Sequence, residues 1–137
     1  MLRVVYDLHR AEAYVAAVQD ATLHTDHAGL VPEHGLFGSA DWWRAVEDGR
    51  IPVRTVKGAI SGVYMSGHND YPEFEVDDGV ERTQWPREGS EDAYVVGRAV
   101  QIDYVLQRLK KPVGVAPNSK CVLQILIDDD DARASDS

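Results

Sequence analysis

The stretch VRTVKGAISGVYM, residues 53–65, marks where the hydrophobic pattern of this 137-residue chain changes from helical to extended. It is rich in β-branched residues, and its alternation places Val56 and Ile60 on one face and Val63 and Met65 on the other. Glycine inside a strand usually marks a bulge, a bend or a close backbone approach. The pattern therefore predicts a long first strand that bends sharply near Gly62.

Four more strands follow along the chain. EFEVDDGVERTQW, residues 73–85, predicts a hairpin with a tight turn at Asp78-Gly79, with Phe74 and Val76 facing the core. RAVQIDYVLQRL, residues 98–109, alternates so that Val100, Ile102, Tyr104 and Leu106 share a face. KCVLQILI, residues 120–127, predicts the last strand, with Cys121, Leu123, Ile125 and Ile127 on one face. We expect residues 110–119, KKPVGVAPNS, to form the loop before it.

The first fifty residues have helical periodicity. Apolar side chains recur at spacings of three and four, as on the buried face of a helix, at Val4, Leu8, Ala11, Val15 and Val18. They predict a first helix from about Val5 to at least Asp20, which could continue to Gly29. ADWWRAVED, residues 40–48, predicts a second helix with Ser39 as its N-cap and Gly49 at its end.

These elements predict an α+β fold, in which two N-terminal helices precede a five-stranded, mostly antiparallel sheet. The strand number and the glycines of the first strand resemble an OB-fold or SH3-like small barrel, which closes a sheet to remove its edges. An open sheet covered by helices is the alternative. Residues 1–127 form one predicted domain, with a helical part at 1–51 and a β part at 52–127. Residues 128–137 form a predicted acidic, mobile tail.

Composition narrows the choice of partner. The net charge is −9, with 23 acidic against 14 basic residues, and this disfavours binding to nucleic acid or to an anionic membrane. No apolar run approaches the ~20 residues that a membrane-spanning helix needs, and the first ten residues do not resemble a signal peptide. The lone Cys121 lies in a predicted core strand, so we interpret it as packing and expect a cytoplasmic protein.

The stretch LHTDHAGLVPEHG, residues 23–35, holds three of the five histidines. Thr22–Gly29 resembles the His-x-His-x-Asp-His signature of the metallo-β-lactamase superfamily, with His24, Asp26 and His27 at three ligand positions and Thr22 at the first. The resemblance implies a metal-dependent hydrolase, although the segment before it has helical rather than strand periodicity. On a helix, Asp20, His24 and His27 would share one face, and His34 could complete a site. The candidate metal ligands are therefore His24, His27, Asp20, Asp26 and His34, although the favoured interpretation of the sequence assigns no metal site.

A binding surface is the stronger prediction. The loop between the first two strands concentrates polar residues, and binding residues tend to lie on loops of rigid scaffolds. Trp42 and Trp43 are adjacent on a short helix and cannot easily both face one core, and Trp85 ends a strand at a loop, so exposed tryptophans could act as interface anchors. The alternative is that they are core residues, as tryptophans more often are in a chain with two phenylalanines. The candidate binding residues are Trp42, Trp43, His68, Asn69, Asp70, Tyr71 and Trp85. The row Glu73, Glu75 and Asp77, with Asp78 and Glu81 across the turn, should be solvated and could dock a basic partner.

We therefore predict a small, acidic, non-enzymatic interaction protein, such as an inhibitor or an immunity-type neutraliser of a basic protein. The chain has neither a Gly-x-Ser-x-Gly elbow nor a phosphate-binding glycine loop, and we assign no catalytic residue and no cofactor. Two alternatives stay open. One is a metal-binding module or metal-dependent hydrolase that uses His24 and His27, and the other is a small-ligand-binding β-barrel.

Overall fold

The computed structural model describes residues 2–25, 29–66, 71–89, 91–113 and 116–128. It has an α+β fold, which confirms the predicted class. In chain order, the described elements are β1 Leu2–Asp7, a short 3-10 turn Leu8–Arg10, α1 Glu12–His24, α2 Ala40–Glu47, β2 Arg54–Ser66, β3 Tyr71–Asp77, β4 Arg82–Pro86, a second 3-10 turn Glu91–Ala93, β5 Ala99–Val113 and β6 Ala116–Asp128.

The strands of the described residues form one six-stranded antiparallel sheet in the order β1-β6-β5-β2-β3-β4. The sheet is open, since its order starts at β1 and ends at β4 among these residues. The predicted five-stranded OB/SH3-like barrel is therefore corrected on two points, the number of strands and the closure. The additional strand is β1, whose second half, from about Val5, falls within the predicted first helix.

β1 shows why the first helix begins later than predicted. It pairs with β6 from Leu2↔Asp128 to Asp7↔Gln124, with a register shift between Val4 and Tyr6. Val4 is 46% exposed, so it is not part of the buried helical stripe to which its spacing assigned it. Tertiary pairing with a distant strand thus decides its conformation. The rest of the stripe is correct, because Leu8 lies in the core, with Ala11, Val15 and Val18 packed against it.

The second helix is confirmed at both ends. The Ser39 side chain accepts a hydrogen bond from the Trp42 backbone N–H at 3.3 Å, as an N-cap does. α2 ends at Glu47, and Gly49 follows with φ of 85°, a left-handed conformation that favours glycine.

The long strand and the hairpin are also present. The β2–β3 register shifts between Ile60 and Gly62, where the sequence predicts an irregularity. Phe74 and Val76 are fully buried, as predicted. β3 and β4 pair up to Asp77↔Arg82, so four residues form the connection instead of the predicted two-residue turn. It is closed by a hydrogen bond from the Asp78 N–H to the Glu81 carbonyl at 3.2 Å.

β5 and β6 differ from prediction in length and partly in face. β5 reaches Val113 and β6 starts at Ala116, so the predicted loop at 110–119 is largely strand. Val100 and Ile102 are buried as predicted, but Val105 is the next buried residue, and the predicted alternation does not continue. In β6, the four predicted core residues Cys121, Leu123, Ile125 and Ile127 are all buried.

The chain divides into two compact units. The β unit takes its described residues from Met1–Asp7, Thr55–Ile102 and Gln124–Ser137, and the helical unit from Leu8–Arg54 and Asp103–Leu123. Buried residues of the β unit include Ile60, Phe74, Val76, Trp85, Tyr94, Ile102, Ile125 and Ile127. The core of the helical unit comprises Leu8, Leu30, Phe37, Trp42, Ala45, Ile51, Val105, Cys121 and Leu123. One domain over residues 1–127 stays a prediction. Of the predicted tail, Asp128 ends β6, and residues 129–137 lie outside the described residues.

Candidate binding surfaces

The three tryptophans have different environments. Trp42 and Trp85 are each 1% exposed. The Trp42 indole N–H donates to Gln107 Oε1 at 3.0 Å, and that of Trp85 donates to Thr83 Oγ1 at 2.8 Å. Both rings are therefore satisfied core residues of their own units, and their burial leaves almost no surface for a partner to contact. Trp43 is half-buried and stacks on His9, with ring centroids 3.7 Å apart.

The predicted binding residues of the loop between β2 and β3 lie mostly outside the described residues. His68, Asn69 and Asp70 lie outside the described residues, and for Tyr71 the structure describes the backbone of β3 but not the side chain. Their role in binding stays a prediction.

The candidate metal ligands are only partly described. His24 Nε2 lies 3.7 Å from Asp20 Oδ1, and both side chains are more than two-thirds exposed. Asp26 and His27 lie outside the described residues, and His34 lines a cavity elsewhere in the helical unit. Among the residues that the structure describes, no group of three or more His, Cys, Asp or Glu side chains is arranged to hold a metal ion.

The β3–β4 hairpin carries the predicted acidic row. We call residues 73–82 the acidic hairpin, since they contain five carboxylates and one arginine. Glu73, Glu75 and Asp77 are half-buried instead of fully solvated. Glu75 Oε1 accepts a hydrogen bond from Ser61 Oγ at 2.9 Å. Arg82 Nη1 lies 3.9 Å from Glu75 Oε1, and Arg82 Nε lies 3.5 Å from Asp77 Oδ2. Within the acidic hairpin, Arg82 therefore compensates part of the negative charge.

The tip of the acidic hairpin is held by its own side chains. Asp77 Oδ1 accepts from the Gly79 N–H at 2.9 Å, and Asp78 Oδ1 accepts from the Val80 and Glu81 N–H groups at 2.8 and 2.9 Å. Hydrogen bonds from the Glu81 and Val80 N–H groups lower the pKa of Asp78, so this carboxylate stays ionised at neutral pH. Val80 projects from this ordered turn with 94% of its surface exposed.

An apolar groove runs along α1 in the helical unit. This α1 groove has a volume of about 300 Å³ and is lined by Tyr14, Ala17, Val18, Ala21, Gly29, Leu30, Ser119 and Cys121. Tyr14 is 52% exposed at its edge, whereas Cys121 is 5% exposed at its base. Burial raises the pKa of the Cys121 thiol to about 12, so it is protonated at neutral pH and contributes to the groove as an apolar group. The prediction that Cys121 is packing agrees with this environment.

Two further cavities lie in the described part of the helical unit. The larger, about 470 Å³, is lined by Val31, Glu33, His34, Arg50, Ile51, Pro52, Leu106, Gln107 and Arg108. Its arginines already have acidic neighbours, since Arg108 lies 3.6 Å from Glu33 and Arg50 lies 2.9 Å from Asp48. The other, about 370 Å³, contains the stacked His9 and Trp43. Its charge is small, with Glu12 as the carboxylate in its lining.

The α1 groove was not predicted from the sequence, although a signal for it existed. Tyr14, Ala17 and Ala21 form a second apolar row at spacings of three and four, beside the buried row that was recognised. The contribution of Leu30 and Cys121 to the groove was not predictable, because both lie outside α1 and Cys121 is distant from it in sequence.

An α+β chain with an acidic hairpin and an exposed apolar groove has the surface of a protein-binding domain. Consistent with this class, the family described as Immunity protein RhsI2 matches residues 2–127. This chain belongs to that family. The match confirms the prediction of an immunity-type, non-enzymatic protein, and its partner is a toxin. No curated protein matches the chain. In the described residues, no helix is long and apolar enough to cross a membrane.

Proposed function

We propose that this protein neutralises a basic toxin and that the acidic hairpin is a principal contact. The observation that carries the proposal is the concentration of five carboxylates against one arginine in residues 73–82, on a chain of net charge −9. A negative surface of this kind attracts a basic partner over distances beyond direct contact and discriminates against acidic ones.

The order of the hairpin tip supports a role in binding. Because Asp77 and Asp78 hold the turn through backbone N–H groups, the tip loses little conformational freedom when a partner binds. Glu81 and Val80 are exposed beside these anchored carboxylates. A partner surface with basic residues around a shallow apolar pocket would complement the carboxylates and Val80.

We also propose that the protein acts in the cytoplasm. Its lone cysteine is buried and free, so the described fold does not depend on an oxidising compartment. Fractionation of the producing cells, with an antibody against the chain, would test this point.

The test of the function begins by defining the partner. Toxin domains encoded next to this chain are expressed in a bacterial host with and without it, and the cognate toxin is the domain whose growth inhibition the chain relieves. Relief by direct binding, with a 1:1 complex of the purified proteins, is the expected result. Relief without a complex would contradict the proposal.

The role of the hairpin is tested with matched charge reversals. Glu81→Lys changes the exposed tip, and Glu47→Lys makes the same change of charge at an exposed position of α2. We expect Glu81→Lys to slow association with the cognate toxin by about three- to tenfold at low salt, and the loss should shrink as salt screens it. Equal effects of the two variants in stopped-flow measurements, or association that is independent of salt, would overturn the assignment to the hairpin.

A further inference from the structure

We propose that the α1 groove is a second contact surface and receives an apolar side chain of the toxin that has a basic residue beside it. The inference rests on the proposed function, since the partner is the same basic toxin, but the contact is of a different kind. It would hold the complex together by burying apolar surface after charge has brought the partners together.

Apolar residues extend around α1 beyond the face that packs on the core. Val15 and Val18 pack against the core of the helical unit, which is all that a helix on a protein surface requires. Tyr14, Ala17 and Ala21 continue the apolar surface beyond that face and line the groove. A contiguous apolar patch that includes an exposed aromatic ring is a common mark of a protein interface.

The shape and the chemistry of the groove both suit an apolar side chain. Its volume of about 300 Å³ is enough for one large side chain, and small residues at Ala17, Ala21 and Gly29 keep it open. A side chain at position 29 would overlap Thr22, and the φ of 91° at Gly29 also favours glycine. The Cys121 thiol at the base is protonated, so no buried charge opposes an apolar occupant.

Asp20 provides a negative charge beside the groove that complements a basic residue of the toxin. Asp20 follows Ala17 by three residues, so the two are neighbours on the surface of α1. The Asp20 side chain is 76% exposed, and its contact with His24 is 3.7 Å long. A lysine or arginine of the toxin could therefore reach Asp20 while the neighbouring apolar side chain occupies the groove. A second copy of this chain fits less well, because each copy carries a charge of −9.

The experiment compares two pairs of variants by their binding to the cognate toxin defined above. Ala17→Arg fills the groove, and Ala16→Arg places the same side chain on the adjacent exposed residue, which lines a different cavity. Tyr14→Ala removes the aromatic edge, and Leu23→Ala truncates an apolar residue that is 63% exposed on the opposite side of α1. All four changes are at exposed positions, and unchanged melting temperatures would show that the variants fold.

We expect Ala17→Arg and Tyr14→Ala each to weaken binding by about tenfold or more, mainly through faster dissociation. Ala16→Arg and Leu23→Ala should each stay within about twofold of the wild type. Equal losses within either pair would overturn the assignment to the groove. A wild-type dimer that Ala17→Arg dissociates, seen by analytical ultracentrifugation without toxin, would instead assign the groove to self-association.

The two proposals fail separately. If Glu81→Lys acts no differently from Glu47→Lys while Tyr14→Ala still weakens binding, the hairpin is excluded and the groove stands. If Glu81→Lys alone shows its expected effect, the groove is excluded and the proposed function stands.

Discussion

The acidic hairpin of the β unit and the α1 groove of the helical unit both expose apolar side chains, but in different settings. Val80 is 94% exposed and lies in sequence between the acidic residues Asp78 and Glu81. Tyr14 is less exposed, at 52%, yet it adjoins Ala17 and Ala21 along a continuous apolar surface. The comparison shows that the fractional exposure of one residue is a poor guide to a binding site. Its neighbours decide whether a partner would bury one isolated side chain or a whole patch.

The two regions are also ordered by different means. The hairpin tip depends on hydrogen bonds between residues at most three apart in sequence, such as Asp78 with Val80 and Glu81. The groove depends on α1, on the segment at Gly29 and Leu30, and on β6 at Cys121. We therefore expect changes in the hairpin to have local consequences, whereas changes at the buried residues that line the groove, such as Leu30 and Cys121, should lower the stability of the helical unit as well.

The largest expected effect concerns the two buried tryptophans, one in each unit. Trp42→Ala and Trp85→Ala should each lower the free energy of unfolding by about 3–5 kcal/mol, because each leaves a large cavity and an unpaired acceptor. Denaturant unfolding followed by circular dichroism measures both. A variant that keeps wild-type stability but loses toxin binding would show that its tryptophan is an interface anchor after all.

A middle-sized effect is expected next to the groove. Thr22 is 7% exposed, and its hydroxyl accepts a hydrogen bond from the buried Leu30 N–H at 3.2 Å. Thr22→Val keeps the shape but leaves that N–H without this partner, which should cost about 1–3 kcal/mol.

Thr25→Val is the matched control for Thr22→Val. The Thr25 hydroxyl donates to the Ala21 carbonyl, which also accepts the Thr25 N–H at 3.2 Å and would keep that bond. Equal losses of stability in the two variants, measured by denaturant unfolding, would contradict a special role for Thr22 in holding the groove.

The smallest expected effect is the pH dependence of the hairpin tip. The pKa of Asp78 is lowered from 3.8 by hydrogen bonds from the Glu81 and Val80 N–H groups. A lowered pKa in the folded state means that the carboxylate stabilises the fold above pH 3.8, and that this contribution disappears as the pH falls through the folded-state value. Asp78→Asn should therefore lower the melting temperature slightly at pH 6, and its difference in melting temperature from the wild type should close as the pH falls through the lowered pKa of Asp78.

Asp92→Asn serves as the control for this measurement, since Asp92 is an exposed aspartate of the same unit. If the melting temperatures of the wild type and Asp78→Asn differ by the same amount from pH 6 to pH 2.5, the effect does not come from the ionised carboxylate.

Local features were predictable from the sequence. The Ser39 cap, the irregularity near Gly62 and the burial of Phe74 and Val76 follow from side-chain chemistry and from alternation within a few residues. β1 was not predictable in this way, because its conformation depends on pairing with β6. The immunity-type function was inferred from acidity, small size and the lack of a catalytic pattern, and family membership confirms it.

The candidate site was less predictable than the fold. The indole rings of Trp42 and Trp85 are as suitable for a core as for an interface, and only the structure shows that both are buried. The hairpin carboxylates were found as a row, since alternation places them on one side of a strand. The ordered tip and the groove require contacts that no short window of sequence contains.

The pairing of β1 with β6 has a consequence for the synthesis of this protein. β1 is synthesised before β6, so Leu2 can pair only when Asp128 has left the ribosome. Strand pairs this far apart in sequence form slowly, since a long loop must close before any contact is gained. Until then, Leu2 and Val4 belong to an unpaired strand that a chaperone or another nascent chain can bind.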